Sequence, residues 1–451
     1  MAEHLAVNQG VVGSSPIASA IYGLLEKRLN SHAFHACIHG FESRTGHQRR
    51  KTSLTQSVSG FFYHKGWFLL VHKAYSFHMS KMSSLFNTKK KKIYSLDDEK
   101  FYLAMKENCS FHYEHNKKYK ELLDGFGFKP SDINSYEDLA KIPFIPTLYF
   151  KHHNLLSLKN SKYIVKATSS GTSGQNVSII GFTLGDLLRG WNMVRRVFSY
   201  HHLWSLKPHR YIIFGYQPHK GNDKAIAKTA WGFTFVTPAL SKDYAIRWVD
   251  GGYKVDLDNL EKKLIKYSKG KAPVRTLGFP AYTYFLLEQM KAKGIKLKLP
   301  KGSILSLGGG WKSFYKEKVD KQTFYDLAYE VLGIDDKHIF EFFGAVEHPI
   351  LYTDCRHHHF HIPNYARVII RDVETLEPVK PGQPGLINLL TPMCLGAPLL
   401  SVMTDDIGIL HEETCPCGEK SMYLEILGRS GIEDIKTCAA GAEDLLKGEK
   451  S

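Results

Sequence analysis

Five hydroxyl side chains and two glycines fall within seven residues in TSSGTSG, at 168–174, directly after the β-rich run YIVKA. Such a backbone can approach an anion closely, and its amides and hydroxyls can wrap the oxygens, so the string reads as a phosphate cradle. Composition alone leaves a Ser/Gly linker open as the alternative. The GxxxxGK spacing of the Walker loop is missing, which disfavours that class of ATPase. A second constellation joins Cys355, at the head of the His-rich CRHHHFHIP, to Cys415 and Cys417 in TCPCGE. Two thiols spaced C-x-C, with a distant Cys and His361, can complete a tetrahedral metal site; His359 is the substitute ligand. Four protein ligands leave no open position, so a metal there would be structural. A hairpin with free thiols is the alternative.

These residues need elements to hold them. The chain has 451 residues, 43% hydrophobic and 12% aromatic, a globular composition with room for one or two cores. From Ser95 the spacing predicts two helices separated by a short break, and SYEDLAKIPFIPT places a short helix against Pro143 and Pro146. Strands are expected at 163–166, 211–214, 303–307, 338–343, 366–371 and 386–390, and helices at 184–200, 259–267, 282–293 and 314–332. The alternation argues for an α/β fold in which helices cover mixed sheets.

Residues 1–92 carry 13 Lys and Arg against 3 Asp and Glu, so most of the formal charge of +16 belongs to a leader. That distribution does not argue for nucleic-acid binding by the folded part, and the run Lys89, Lys90, Lys91, Lys92 reads as a solvated linker. No domain is expected over residues 1–81; the native start is expected near Met82, with a disordered targeting or interaction leader as the alternative. The expected division is a leader at 1–92, a domain at 93–428 and a short C-terminal segment at 429–451. Seven cysteines, odd in number, do not form a disulfide framework, which makes reduced thiols in a cytoplasmic protein the default. The most apolar early stretch is broken by His64, Lys65, His72 and Lys73, so no membrane span is expected.

TSSGTSG resembles the ATP-phosphate loop of the acyl-adenylate-forming superfamily, and four later segments resemble its motifs in the same order. GGGW at 308–311 is similar to the adenine-contacting turn, and FFGAVEH at 342–348 to the aromatic-Gly-x-x-Glu motif whose Glu ligates magnesium. TDDIG at 404–408 is similar to the motif whose Asp holds the ribose, and GRSGIEDIK at 428–436 to the hinge. The resemblance implies the large N-terminal domain of an acyl-adenylate-forming enzyme with a truncated C-terminal subdomain. It places Thr168, Ser169, Ser170, Gly171, Thr172, Ser173, Gly174, Gly308, Gly309, Gly310, Phe343, Gly344, Asp406 and Arg429 around ATP. Asp405 is the surface neighbour of Asp406. Glu347 would hold Mg, although FGAVE departs from the pattern in which Thr precedes the Glu. A carboxylate attacking the α-phosphorus needs charge neutralisation and alignment rather than a protein base.

EDLAKIPFIP and TCPCGE resemble the phenylacetate ligase branch and its relative, the acyl-protein synthetase family of bacterial bioluminescence. The first implies structural Zn on Cys355, His361, Cys415 and Cys417. The second implies a long-chain fatty acid as substrate, a thioester on a cysteine near the C-terminus and an acyl reductase subunit as partner. Only 22 residues follow Arg429, too few for the mobile domain of a CoA ligase. Cys438, two residues past Lys436, is then the acceptor, since a thiol near a cation can ionise and attack a carbonyl; a small apolar filler is the plainer alternative. Gly278, Phe279 and Pro280, in GFPAYTYFLL, resemble the wall of an acyl tunnel, with Trp191, Phe214 and Tyr216 as further aromatic candidates or plain core. The competing functions are a ligase acting on CoA or another free thiol and a scaffold that binds nucleotide without turnover. A dinucleotide fingerprint is absent, which disfavours an oxidoreductase.

Overall fold

The computed structural model describes residues 81–169, 178–219, 225–308 and 319–429. Strand β1 (Ile145–Pro146) and the hairpin of β2 (Val165–Thr168) and β3 (Ile179–Phe182) come first. The middle of the chain then builds one sheet from β4 (His209–Tyr216), β5 (Ala239–Val249), β6 (Gly252–Val255), β7 (Val274–Gly278), β8 (Leu305–Gly308), β9 (Ile339–Ala345) and β10 (His348–Thr353). Its order is β10-β9-β8-β7-β4-β5-β6, with β4, β5, β7, β8 and β9 parallel and β6 and β10 antiparallel at the edges. The last part of the chain adds β11 (Phe360–His361), β12 (Arg367–Arg371), β13 (Pro384–Leu390), β14 (Ser401–His411) and β15 (Tyr423–Arg429) in the order β11-β15-β14-β13-β12. β1 pairs parallel with Val402 and Met403 of β14, upstream of the Asp406 rung where β15 begins to pair. The mixed sheets with covering helices agree with the expected α/β architecture.

Helices cover both faces of the larger sheet. Phe198, from the helix Leu184–Tyr200, and Phe233, from Ala225–Phe233, pack with Phe342 over the face that also carries Tyr211, Ile213 and Leu277. The helices Leu257–Ser268, Pro280–Ala292 and Lys321–Leu332 cover the other face, against Ile212, Phe214, Leu305, Leu307 and Ile339. Alternate residues of one strand go to opposite cores, as the pleat requires. Local chemistry fixes the helix ends. Thr183 Oγ1 accepts from Asp186 N–H at 3.2 Å while Thr183 N–H donates to Asp186 Oδ2 at 2.8 Å, a capping box at the start of Leu184–Tyr200. Gly333 ends Lys321–Leu332 with φ +66.

Asn116 provides the expected break between Asp98–His115 and Lys117–Gly125, its side-chain oxygen accepting from Tyr119 N–H. The strand expected at 163–166 runs instead over Val165–Thr168, so the hydroxyl-rich string starts inside a strand. Residues 81–92, placed with the leader on sequence grounds, fold onto the body: Met82, Leu85 and Phe86 of the helix Lys81–Phe86 are buried in the main core.

Candidate functional site

The parallel strands define one edge. Phe214, Gly278 and Leu307 lie level across β4, β7 and β8, and Leu307 is level with Glu341 of β9. Gly278–Pro280 and Gly308 therefore leave the sheet at its carboxyl edge, where ligands bind in open α/β sheets, and Phe343–Gly344 of β9 run on past them while paired only with β10. Gly278 is needed there for space: a Cβ on it would lie 2.3 Å from Phe214 O. Gly344 faces solvent beside Ile350 O, and Gly308 is level with Phe342.

Glu347 sits in the turn between β9 and β10, 5% exposed. A buried carboxylate at this edge is a hard oxygen donor that fits Mg. The next residue, His348, is fully buried against Tyr352 Oη at 2.9 Å, and burial pulls its imidazole down to about 3. Asp406 and Arg429 are cross-strand partners at the last rung of β14 and β15, so the expected ribose and hinge positions are adjacent. Thr404 Oγ1 fixes the approach, donating to Ile387 O at 3.1 Å and accepting from Asp406 N–H at 3.2 Å.

The base of the hydroxyl-rich loop is closed by a pair that the sequence did not signal. Ser169 N–H donates to Ser178 O at 3.1 Å and Ser178 N–H donates to Ser169 Oγ at 2.9 Å. Ser169 thus extends the β2–β3 ladder at the foot of the loop. Ser170, Gly171, Thr172, Ser173, Gly174, Gly309, Gly310 and Cys438 lie outside the described residues, as does most of the expected segment 429–451.

The structure does not assemble the expected aromatic acyl wall. Phe214, Tyr216 and Phe279 are buried in the core beneath the helices of one sheet face, whereas Trp191 is 37% exposed on the outside of Leu184–Tyr200. Phe214, Tyr216 and Phe279 share one core, and Trp191 lies on a helix that covers the opposite sheet face.

The Cys and His residues do converge. The ligand atoms of Cys355, His361, Cys415 and Cys417 all lie within 4.8 Å of one another. Cys355 and Cys415 Sγ are 3.7 Å apart, too far for a disulfide, and Cys417 Sγ is 3.3 Å from His361 Nε2. A tetrahedron with metal–sulfur bonds of about 2.3 Å and metal–nitrogen bonds of about 2.0 Å has edges of roughly 3.5–3.8 Å, so the donor set fits zinc. His361 Nδ1–H donates to Ser421 O at 3.2 Å, which leaves Nε2 as the acceptor toward the thiols. Three backbone N–H groups support the sulfurs, His357 to Cys355 at 3.3 Å, Cys417 to Cys415 at 3.5 Å and Glu419 to Cys417 at 3.4 Å. Gly418, with φ +92, makes the turn. His359 takes an outer place, its Nδ1 3.2 Å from Cys415 Sγ and its ring stacked 4.1 Å from that of Tyr423. Burial pushes the Cys355 thiol up to about 12 and raises Cys415, so a divalent cation would have to displace protons on binding. The loop after β10 belongs to one sheet and β11 with the β14–β15 hairpin to the other, so the cluster pins the two sheets together. Ser421 and Glu419 carried no sequence signal beyond lying after C-x-C.

This architecture is the fold of the large domain of acyl-adenylate-forming ligases. An open conformation of 2-hydroxyisobutyryl-CoA ligase, solved with 2-HIB-AMP and CoA, superposes with a TM-score of 0.55 at 16% identity, covering 74% of each chain. The family model of acyl-protein synthetase, LuxE, matches residues 81–446, and the chain belongs to that family. A long-chain-fatty-acid–luciferin-component ligase of Aliivibrio fischeri is 25% identical over 350 residues, 76% of this chain and 88% of that protein. A phenylacetate-coenzyme A ligase of Thermus thermophilus is 23% identical over 350 residues, 76% of this chain and 71% of that protein. Among the described residues no helix is long and apolar enough to cross a membrane.

Proposed function

We propose that the protein activates a long-chain fatty acid with ATP as an acyl adenylate and carries the acyl group on Cys438 for delivery to an acyl reductase. The observation that carries the adenylation step is the shared carboxyl edge, where Gly278–Pro280 and Gly308 emerge beside Phe343 and Gly344 of β9, together with the Asp406–Arg429 rung. Family membership supports the choice of a fatty acid over other carboxylic acids. The loop at 168–174 would hold the phosphates, Asp406 the ribose hydroxyls, and Glu347 the magnesium. Magnesium, when bound, neutralises charge on the phosphates. The protein's own work is then alignment: Ser169 and Ser178 fix the foot of the phosphate loop, and Thr404 orients the backbone before Asp406. Cys438 attacks the acyl carbonyl as a thiolate, a thioester forms, and AMP leaves.

Intact-mass measurement after incubation with ATP, Mg and a long-chain fatty acid tests this reading. An acyl adduct that hydroxylamine removes, and that Cys438→Ala abolishes, is the expected result. The similarity to phenylacetate-coenzyme A ligase keeps a second reading, transfer to CoA, which predicts CoA-dependent AMP release without an adduct. Absence of pyrophosphate exchange with every carboxylate tried would leave only a non-catalytic nucleotide-binding role.

A further inference from the structure

The helix Leu184–Tyr200 buries Met193, Val197 and Phe198 in the core and also buries charge. Its inward face carries an ion pair: Arg189 Nη2 donates to Asp186 Oδ1 at 2.5 Å, with both side chains buried. That pair also fixes the helix to the chain before β14, because Asp186 Oδ1 accepts from Leu395 N–H at 2.9 Å and Arg189 Nε donates to Met393 O at 2.7 Å. The outward face has the opposite character. Leu184, Leu188, Trp191 and Arg195 follow one another at helical spacing along it, with Leu184 52% and Trp191 37% exposed. Trp204 extends the stripe, its ring edge-on to Trp191 at 6.1 Å, and Leu206 just beyond is 83% exposed. Since the buried ion pair and the core residues Met193, Val197 and Phe198 already hold the helix in place, the exposed Leu184 and Trp191 contribute little to folding.

The segment that carries the stripe is basic. Between 184 and 211 the only acidic residue is the buried Asp186, whereas Arg195 and Lys207 are exposed. The lysine run adds to this. The turn Lys90–Lys92 packs beside the same helix, preceded by Lys89, and all four lysines are exposed. Its approach is fixed by Arg196 Nη1, which donates to Phe86 O at 2.9 Å, and by Asn192 Nδ2, which donates to Asn87 Oδ1 at 3.4 Å. Glu419 accepts from Tyr200 Oη at the final turn, away from the Leu184–Trp191 stripe, and Glu107 accepts from Met82 N–H beside the neighbouring helix Lys81–Phe86. The sequence suggested a solvated linker for the lysines; the fold sets them along one flank of an exposed aromatic and aliphatic stripe.

We propose that this face docks the protein on an anionic phospholipid bilayer, with Leu184, Leu188, Trp191 and Trp204 in the headgroup boundary and Lys89–Lys92, Arg195 and Lys207 against the lipid charge. The apolar centre favours a bilayer over nucleic acid, and the lysine flank favours it over a second copy of this basic chain. The use of such docking, collection of a substrate that partitions into membranes, rests on the fatty-acid reading above. The docking itself needs neither ATP nor turnover, so the two can fail separately.

The test is co-sedimentation of the full chain with zwitterionic phosphatidylcholine vesicles and with vesicles of which about a third is phosphatidylglycerol. Anionic vesicles are expected to bind at least about tenfold more strongly, with the difference lost at high salt. The surface variant Lys90→Glu/Lys91→Glu and the separate variant Trp191→Ser, each checked for native circular dichroism, are expected to weaken binding by about tenfold each. Equal binding to both vesicle types, or none, overturns the proposal. So does loss of binding with the charge variant alone while Trp191→Ser binds normally, which marks a purely electrostatic polyanion surface. A concentration-dependent dimer that shields Trp191 from quenchers also overturns it, assigning the face to a second copy. Should Trp191→Ser misfold, Leu184→Ser at the exposed first turn replaces it.

Discussion

At the residue scale, single positions are constrained by what lies against them. A side chain at Gly278 would meet not only Phe214 O but Phe214 Cβ at 2.5 Å, and both atoms belong to the adjacent interior strand β4. Gly278→Ala is therefore expected to cost at least about 3 kcal/mol of stability, measured by urea unfolding, or to leave no folded protein. Arg275, three residues earlier on β7, carries a conflict of another kind. It is 2% exposed, neither Nε nor Nη1 has a hydrogen-bond partner, and burial pulls its guanidinium below the ordinary arginine range. Arg275→Met should keep the volume and remove the buried charge, raising the unfolding free energy by roughly 1–4 kcal/mol. A loss of stability in that variant would show that Arg275 has a partner that outweighs its desolvation.

At the element scale, the helix Leu184–Tyr200 was legible to the residue because a capping residue and sustained apolar spacing both mark it. The core strands β4, β8, β12 and β13 were legible as short β-rich runs. β14 and β15, which hold the Asp406–Arg429 rung, were not: Asp405 and Asp406 interrupt the apolar pattern, and Gly428 and Arg429 fall in the string that resembles the hinge. β5 was missed because its first half is exposed and carries Lys242 and Asp243. The metal cluster was legible because C-x-C is a short-range pattern, and Cys355 and His361 could be added by chemistry; the Ser169–Ser178 closure could not, since nothing local links those two positions. The cluster makes its own prediction. The purified protein should contain about one zinc per chain by elemental analysis, and strong chelators or Cys415→Ser should lower its thermal midpoint by about 5 °C or more.

For the whole molecule, buried histidines couple folding to acidity. His112 is fully buried with Nε2–H donating to Cys394 O at 3.0 Å and Nδ1 accepting from Ser157 Oγ at 2.8 Å, an arrangement that suits the neutral ring. Burial lowers it to about 4, and lowers His348 to about 3. Because the folded values lie below the unfolded one of about 6.5, the unfolded chain takes up protons first on acidification. Stability is then complete above about pH 6.5 and declines as pH falls toward 4, by up to about 3 kcal/mol for His112 alone. Urea midpoints measured from pH 7 to 4.5 should fall, and His112→Gln should flatten the slope while lowering the value at pH 7.

The four residues of the Cys and His cluster arrive in two instalments during synthesis. Cys355 and His361 leave the ribosome some sixty residues ahead of Cys415 and Cys417, and the intervening chain is most of the smaller sheet. A chain stopped short of Cys415 thus presents one thiol and one imidazole of the cluster, which would be a weak chelate, and would gain full affinity only when the final hairpin closes. Zinc bound at this cluster would then mark a completed chain. Ribosome-stalled chains ending before Cys415 should lose zinc readily to a competing chelator, and those extended past β15 should retain it.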